Sequence, residues 1–198
     1  MNPNVKKIRE GNGKYLSNII KSRHGSVLEH SVTNWIFADV SRVFTHELVR
    51  HRVGMAYSQE SLRYVRLEDL GLWLPPEIEA NPKLASLFEK TFSDLGDLQR
   101  QMAESLGLDN MKSFNEKKKL TSAMRRVAPI GLSTTIGVSM NFRALRHISE
   151  MRTSVHAEAE IREVMDQVMQ IAKNRWPNIF YDFERNEEGE WISKASKV

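Results

Sequence analysis

Arg50-His51-Arg52, followed by Tyr57-Ser58-Gln59-Glu60-Ser61-Leu62-Arg63-Tyr64, is the strongest local concentration of chemistry-bearing side chains in the chain. Guanidinium groups donate in a fixed planar fork that matches phosphate and carboxylate oxygens. A second group, Arg143, Arg146 and Arg152, repeats that chemistry, so a small polyanion such as a nucleotide phosphate is an expected ligand. The histidines His24, His30, His46, His51, His147 and His156 all fall in candidate segments. None of their pairs has the i, i+4 spacing with an intervening glutamate that a zinc hydrolase uses, so no metal site is expected. Ser26, Ser58 and Ser61 lack the glycines of a nucleophile elbow. The chain also lacks a glycine-rich phosphate loop, so any dinucleotide must be held by arginines, helix termini and loop amides. It contains no cysteine, which excludes disulfides, thiolate metal sites and cysteine nucleophiles together.

These groups need elements to position them. Ser31 to Ala38 is rich in β-branched and aromatic residues and predicts a strand. Asp39 or Ser41 then caps a helix carrying Val43, Phe44 and Leu48 that ends near Gly54, which puts Arg50, His51 and Arg52 on its last turn. Tyr57 to Ser61 reads as a polar loop, and Tyr64-Val65-Arg66-Leu67 leaves it extended. Asn81-Pro82 opens a long amphipathic helix through Leu84, Leu87, Phe88, Leu95, Leu98 and Met102. A second helix spans about 113–127, with Lys117-Lys118-Lys119 on a solvated face. A strand over 133–139 follows, and Asn141 caps a helix bearing Phe142, Leu145 and Ile148. A last helix over 154–174 buries Ile161, Val164, Met165, Val168 and Ile171.

Helices outweigh strands, so the expected fold class is α+β: a helix-dominated protomer with a small, mainly antiparallel sheet. With 198 residues, one domain over 1–198 is expected, with 186–198 a loose polar tail. The formal charge of +4, from 29 basic and 25 acidic residues, is too small an excess to imply nucleic acid. No apolar run is long enough to span a bilayer. Lys6, Lys7, Arg9, Glu10 and Lys14 leave no signal-peptide core, so a cytoplasmic protein is expected.

The run Arg-His-Arg, a short spacer, then Tyr-Ser-Gln-x-Ser-x-Arg-Tyr resembles the signature of the flavin-dependent thymidylate synthases. His24-Gly25-Ser26-Val27-Leu28-Glu29-His30 is similar to the family's upstream segment. Asn141-Phe142-Arg143 through His147, Arg152, His156-Ala157 and Glu160-Ile161-Arg162 is similar to its downstream helix pair, and Arg125 resembles its arginine before a proline. Three departures stand out: one extra residue among Val53-Gly54-Met55-Ala56, Gln59 where many members have glutamate, and a stretch before His24 that is shorter than usual.

The resemblance implies the thymidylate synthase-complementing protein fold, a homotetramer with flavin sites shared between subunits, and conversion of dUMP to dTMP. Methylenetetrahydrofolate would donate the carbon, and NADPH the reducing equivalents through FAD. It implies flavin contacts at Ser26, Arg50, His51, Arg52, Gln59, Asn141, Phe142, Arg143 and His147. Nucleotide contacts are implied at Glu47, Arg50, Glu60, Ser61, Leu62, Arg63, Arg125 and Arg152, with Arg152 activating the pyrimidine. Chemistry agrees with that role: methylation at C5 of uracil needs electron density there, and without a thiolate a cation beside the pyrimidine N3 and carbonyl must stabilise the anionic ring. Two alternatives keep part of this reading. One is a pyrimidine hydroxymethyltransferase or a paralogue acting on dCMP; the other is a basic nucleic-acid-binding protein without catalysis.

Overall fold

The computed structural model describes residues 3–4, 10–195 and 198. Lys6, Lys7 and Arg9, read above as excluding a signal-peptide core, lie outside the described residues, as do residues 196–197 of the expected tail. The chain divides into two compact units. The first comprises Met1–Asn34, His51–Ala56 and Ser139–Val198, and the second Trp35–Arg50 and Tyr57–Val138.

A three-stranded sheet has the order β1-β3-β2, where β1 is Val32–Ser41, β2 is Met55–Gln59 and β3 is Ser133–Asn141. Its flanking bonds run antiparallel: Phe142 N donates to Ser31 O, Arg42 N to Leu132 O, and Glu60 N to Thr135 O. The α+β class with a small antiparallel sheet is therefore what the chain adopts. The central strand β3 alternates, burying Ile136, Val138 and Met140. β1 runs three residues beyond the expected Ala38. Asp39 lies at φ 56°, a left-handed conformation that a short polar side chain tolerates, and the buried positions shift parity there from Phe37 to Val40. That shift leaves Ser41 to end the strand and cap the next helix, its hydroxyl accepting from Phe44 N at 3.2 Å.

In the second unit, α2 (Arg42–Leu48) is shorter than its apolar stripe suggests and turns off at Val49. Arg50, His51 and Arg52 thus follow the helix rather than forming its last turn. The expected loop at Tyr57 to Gln59 is strand β2, with Met55, Tyr57 and Gln59 half-buried. The Tyr57 hydroxyl donates to Leu48 O at 3.0 Å, and burial pushes its ionisation up to about 12. After the short α3 (Pro76–Glu79), Asn81 caps α4 (Pro82–Ser105) as expected, accepting from Leu84 N. The buried residues of α4 are Gly96, Gln99 and Ala103, whereas Leu84, Leu87, Phe88 and Leu98 stay 37–53% exposed. Ser113 caps α5 (Phe114–Met124), and a 3-10 turn, Arg125–Val127, completes the expected span.

In the first unit α1 (Gly13–Lys21) buries Ile19 and Ile20. Asn141 caps α6 (Phe142–Arg152), which buries Phe142, Leu145 and Ile148 as its spacing predicts. The next helix, α7 (Ala159–Arg175), starts five residues later than expected, because the Glu158 carboxylate accepts from Glu160 N and Ile161 N and fixes the first turn there. It buries Ile161, Met165 and Val168, but Met169 and Ala172 take the place expected for Ile171, which is exposed. The tail is not loose over its described part. Strands β4 (Phe183–Arg185) and β5 (Trp191–Ser193) form an antiparallel hairpin with Phe183 opposite Ser193. Trp191 N donates to Thr153 Oγ1, and its indole N–H to Asp166 Oδ1.

The hairpin is locked by Arg146, expected among the phosphate-binding arginines but directed into the core instead. Its two terminal nitrogens donate to the two Asp182 oxygens at 2.8 Å each, and also to Ile179 O and Ser193 Oγ. Both side chains are buried, at 2% and 3% exposure. Burial alone would push the Asp182 carboxyl up, but the Arg146 hydrogen bonds and charge, with the Ser193 hydroxyl, hold it below the usual carboxylate range.

Two outcomes are expected. Asp182→Ala should cost about 3–5 kcal/mol in urea unfolding by stranding a buried guanidinium, and Arg146→Met combined with Asp182→Leu should cost clearly less. Because the folded carboxyl is held low, its contribution is complete above the unfolded range and lost as pH falls below about 4, a component that Asp182→Asn should lack. Gly54 gives the second test. It has φ 72°, its carbonyl accepts from Asn141 N, and a Cβ there would strike the Asn141 side chain. Gly107, at φ 61°, has nothing within 4 Å. Both alanine variants carry a left-handed penalty of about 1–3 kcal/mol, and Gly54→Ala should exceed Gly107→Ala; equal losses would refute the close approach.

Candidate functional site

Candidate residues of the first unit gather around α6. Arg152, on its last turn, donates from Nε to His51 Nε2 at 2.8 Å. Accepting that bond requires the lone pair of Nε2, so the imidazole proton sits on Nδ1. The His147 ring lies 6.4 Å from that of His51, edge to face at 74°. Arg143, His147 and Glu150 follow at i, i+4 and i+7 on one face of α6, and with Val53, Ser193 and Val198 they line a cleft of about 350 Å³. Arg143 pairs with Glu29, and a Cβ on buried Gly25 would come within 2.9 Å of Arg143 Nε, so the turn Gly25–His30 carrying exposed Ser26 is held against this arginine. Arg52 is exposed.

Two predicted residues here serve the fold with their side chains. Asn141 Oδ1 accepts from Ala144 N at 2.8 Å as a helix cap. The Phe142 ring packs on Trp176 at 5.1 Å and on Phe180 at 6.2 Å. Only the backbone of Phe142 can reach a ligand.

Candidates of the second unit lie at the end of α2 and from the end of β2 onward. Glu47 pairs with Arg50 one turn apart at 3.3 Å, the arginine 70% exposed. Gln59 donates to Thr45 Oγ1 at 3.1 Å, which in turn donates to Arg42 O. The amide therefore does structural work that a glutamate could not do without a proton. Ser61 Oγ accepts from both N and Nε of Arg63. Leu62 is buried with Leu67 and Leu132, so its side chain belongs to the core. Arg125 is exposed.

One cation here has no part in the sequence expectations. Arg42, the first residue of α2, donates to Glu60 O at 3.3 Å and to Thr134 Oγ1 at 3.4 Å, while its Nε is buried without a partner among the described residues. Desolvation lowers its proton affinity, the Glu60 charge offsets part of that, and the nearby positive Arg125 lowers it further. The two guanidinium groups add positive charge at this end of α2. The available signal was position: an arginine directly after a helix cap, among donors that point out of a helix start.

Among the described residues no group of three or more His, Asp or Glu side chains could hold a metal ion. No helix is long and apolar enough to cross a membrane.

The family described as thymidylate synthase complementing protein matches residues 2–178. The chain is 36% identical over 176 residues to the flavin-dependent thymidylate synthase of Mycobacteroides abscessus, covering 87% of this chain and 70% of that protein. It is 37% identical over 177 residues to the enzyme of the same name from Mycolicibacterium gilvum, with the same coverage. The flavin-dependent thymidylate synthase of Corynebacterium diphtheriae is 33% identical over 176 residues, covering 87% of this chain and 69% of that protein. With the signature segments and most of both chains aligned, this chain belongs to the thymidylate synthase complementing protein family.

Proposed function

We propose that the chain reductively methylates dUMP to dTMP, taking the carbon from methylenetetrahydrofolate and reducing equivalents from NADPH through FAD. The observation that carries this reading is the bond from Arg152 Nε to His51 Nε2 in a chain without cysteine. It joins the Arg-His-Arg signature to the one residue that the chemistry at C5 requires to be a cation.

His51 fixes the plane of the guanidinium, which defines the edge along which a pyrimidine would lie. A carbonyl or N3 placed on that edge would lose negative charge to a group that keeps its own proton. Arg152 also lies at the C-terminal end of α6, where the helix dipole favours a cation. Within the second unit, Ser61 orients Arg63, and Arg42 and Arg125 add positive charge suited to a phosphate.

The donor set fits a flavin dinucleotide. The α6 face offers Arg143 for a pyrophosphate and His147 beside a cleft, and the His51 ring lies against His147. Bound FAD supplies the hydride chemistry, and the residues named here bind and orient. A homotetramer with shared sites belongs to the same reading, as does a cytoplasmic location. The exposed Leu84, Leu87, Phe88 and Leu98 of α4 support association between copies.

Arg152→Ala should retain FAD, read from the flavin absorbance of the purified protein, while dTMP formation from dUMP falls about a hundredfold or more. His51→Ala should lower turnover less. The double variant should be no worse than Arg152→Ala alone, since both changes remove one coupled unit. Additive losses would separate the two residues. Unchanged turnover in Arg152→Ala, or a preparation that binds neither FAD nor dUMP, would reject the synthase reading. Product formation from dCMP instead of dUMP would redirect it to a paralogous reaction.

A further inference from the structure

Arg152 is the last residue of α6, and the end of a helix is where its backbone bonds are fewest and its turns fray. A guanidinium that must stay on His51 therefore needs the chain beyond the helix to be held. Thr153, which is buried, ends α6 by donating from both N and Oγ1 to Ser149 O, at 3.1 and 2.8 Å. That hydroxyl in turn accepts from Trp191 N at 3.0 Å. Two residues further on, Val155 N donates to Glu190 Oε1 at 2.8 Å. Glu190 and Trp191, adjacent where the hairpin enters β5, thus hold the turn after Arg152 at two points, one through a carboxylate and one through a backbone amide.

The hairpin end that does the holding is itself fixed. Asn186 Nδ2 donates to Glu190 Oε2 at 2.8 Å, Glu190 N to Asn186 Oδ1 at 2.7 Å, and Asn186 N to Glu190 O at 3.0 Å. Helix α7 anchors the same turn: Arg162 donates to Glu188 O, and Asp166 accepts from the Trp191 indole at 2.7 Å and from Arg185 at 3.1 Å. Each oxygen of the Glu190 carboxylate therefore has its own task, Oε2 within the hairpin and Oε1 on the Val155 amide. The Val155 amide, the Asn186 amide and the Ser154 hydroxyl hold this carboxyl below the usual carboxylate range, with His156 adding to them against desolvation. At neutral pH it is an acceptor on both oxygens.

We propose that Glu190 is a positioning residue for Arg152: its carboxylate ties the turn after α6 to the C-terminal hairpin, so that the Arg152 guanidinium keeps its direction toward His51. The inference rests on the reading of Arg152 as the cation beside the pyrimidine. Glu190 acts through the backbone of residues 153–155. With that turn loosened the guanidinium would swing, and a small displacement of a catalytic group costs rate steeply.

The full chain with FAD added, carrying isotopically labelled arginine, tests this by NMR and by turnover. In Glu190→Ala the Arg152 Nε–H, its signal assigned by its loss in Arg152→Lys, should exchange with water about tenfold faster or more. On the same samples kcat for dTMP formation should fall about tenfold or more, while KM for dUMP moves less than about threefold. Glu190→Gln keeps the acceptor for Val155 N but turns an amide toward the Asn186 amide, so its losses should be intermediate. Combining it with Asn186→Asp exchanges carboxylate and amide, restores both bonds and should recover both readouts. Glu187→Ala, at an exposed position of the same turn, should change neither. Thermal unfolding reports whether each variant is folded; if Glu190→Ala is not, Glu190→Gln against the double variant decides. The inference is overturned if Arg152 exchange is unchanged in folded Glu190→Ala, if kcat holds there while the unaltered chain turns over, or if the double variant is no better than Glu190→Gln. The exchange measurement needs no substrate. Faster exchange in Glu190→Ala, with no dTMP formed even by the unaltered chain, upholds the positioning and rejects the synthase reading alone.

Discussion

Two helices of this protein begin on the last residue of a strand, and that constraint governs where its chemistry can lie. Ser41 and Asn141 both have extended backbones, with ψ 165° and ψ 162°, and both side chains accept from the amide three residues on. No loop intervenes, so each helix leaves its strand with a fixed origin and phase. For α6 that phase places Arg143, His147 and Glu150 on the cleft face and delivers Arg152 at the helix end, where it meets His51. Gly54 serves the same junction. Only a residue without a side chain lets that turn approach Asn141 so closely, and the carbonyl of Gly54 takes the Asn141 amide hydrogen.

The arginines divide by what neutralises them. Arg146 is consumed by the core: a two-pronged carboxylate, a carbonyl, a hydroxyl and the Phe183 ring, 4.8 Å from Cζ, together replace its hydration. Its Nε stays buried without a partner among the described residues, so the core takes up the terminal nitrogens and not that donor. Arg152, six residues later on the same helix, donates from Nε to an imidazole lone pair, which fixes its direction. Arg42 is held by neutral oxygens and by the Glu60 charge, and like Arg146 it retains a buried Nε without a partner among the described residues.

Where local chemistry is self-sufficient, the sequence already carries the answer. Asn81 before Pro82, Ser113 and Asn141 cap the helices that their positions predict, because a cap needs only its own next three residues. Strand β2 was illegible because its inward positions include Tyr57 and Gln59, which read as loop residues. They are satisfied by the Leu48 carbonyl and the Thr45 hydroxyl, partners that only the fold supplies. The C-terminal hairpin was illegible for the same reason, since Trp191 and Ser193 find their partners on distant segments. For the candidate site, residue types were readable from the motif order. Which arginine would be buried in the core, and that Lys117 and Lys118 of the expected solvated run would be half-buried, depended on packing.

The turn at Val53 and Gly54 is where a residue could be added to such a chain without moving its chemistry. An added residue inside β2 would reverse the facing of every later side chain, sending Tyr57 and Gln59 outward. The turn at Val53 and Gly54 instead precedes the strand, with Val53 91% exposed and Gly54 in a conformation that few other residues adopt without cost. The strand then begins at Met55 with the alternation that its hydrogen bonds require. His51, before the turn, keeps its bond to Arg152, and Ser61, after the strand, keeps its bonds to Arg63. A glycine turn between two fixed groups is thus where an added residue would disturb them least.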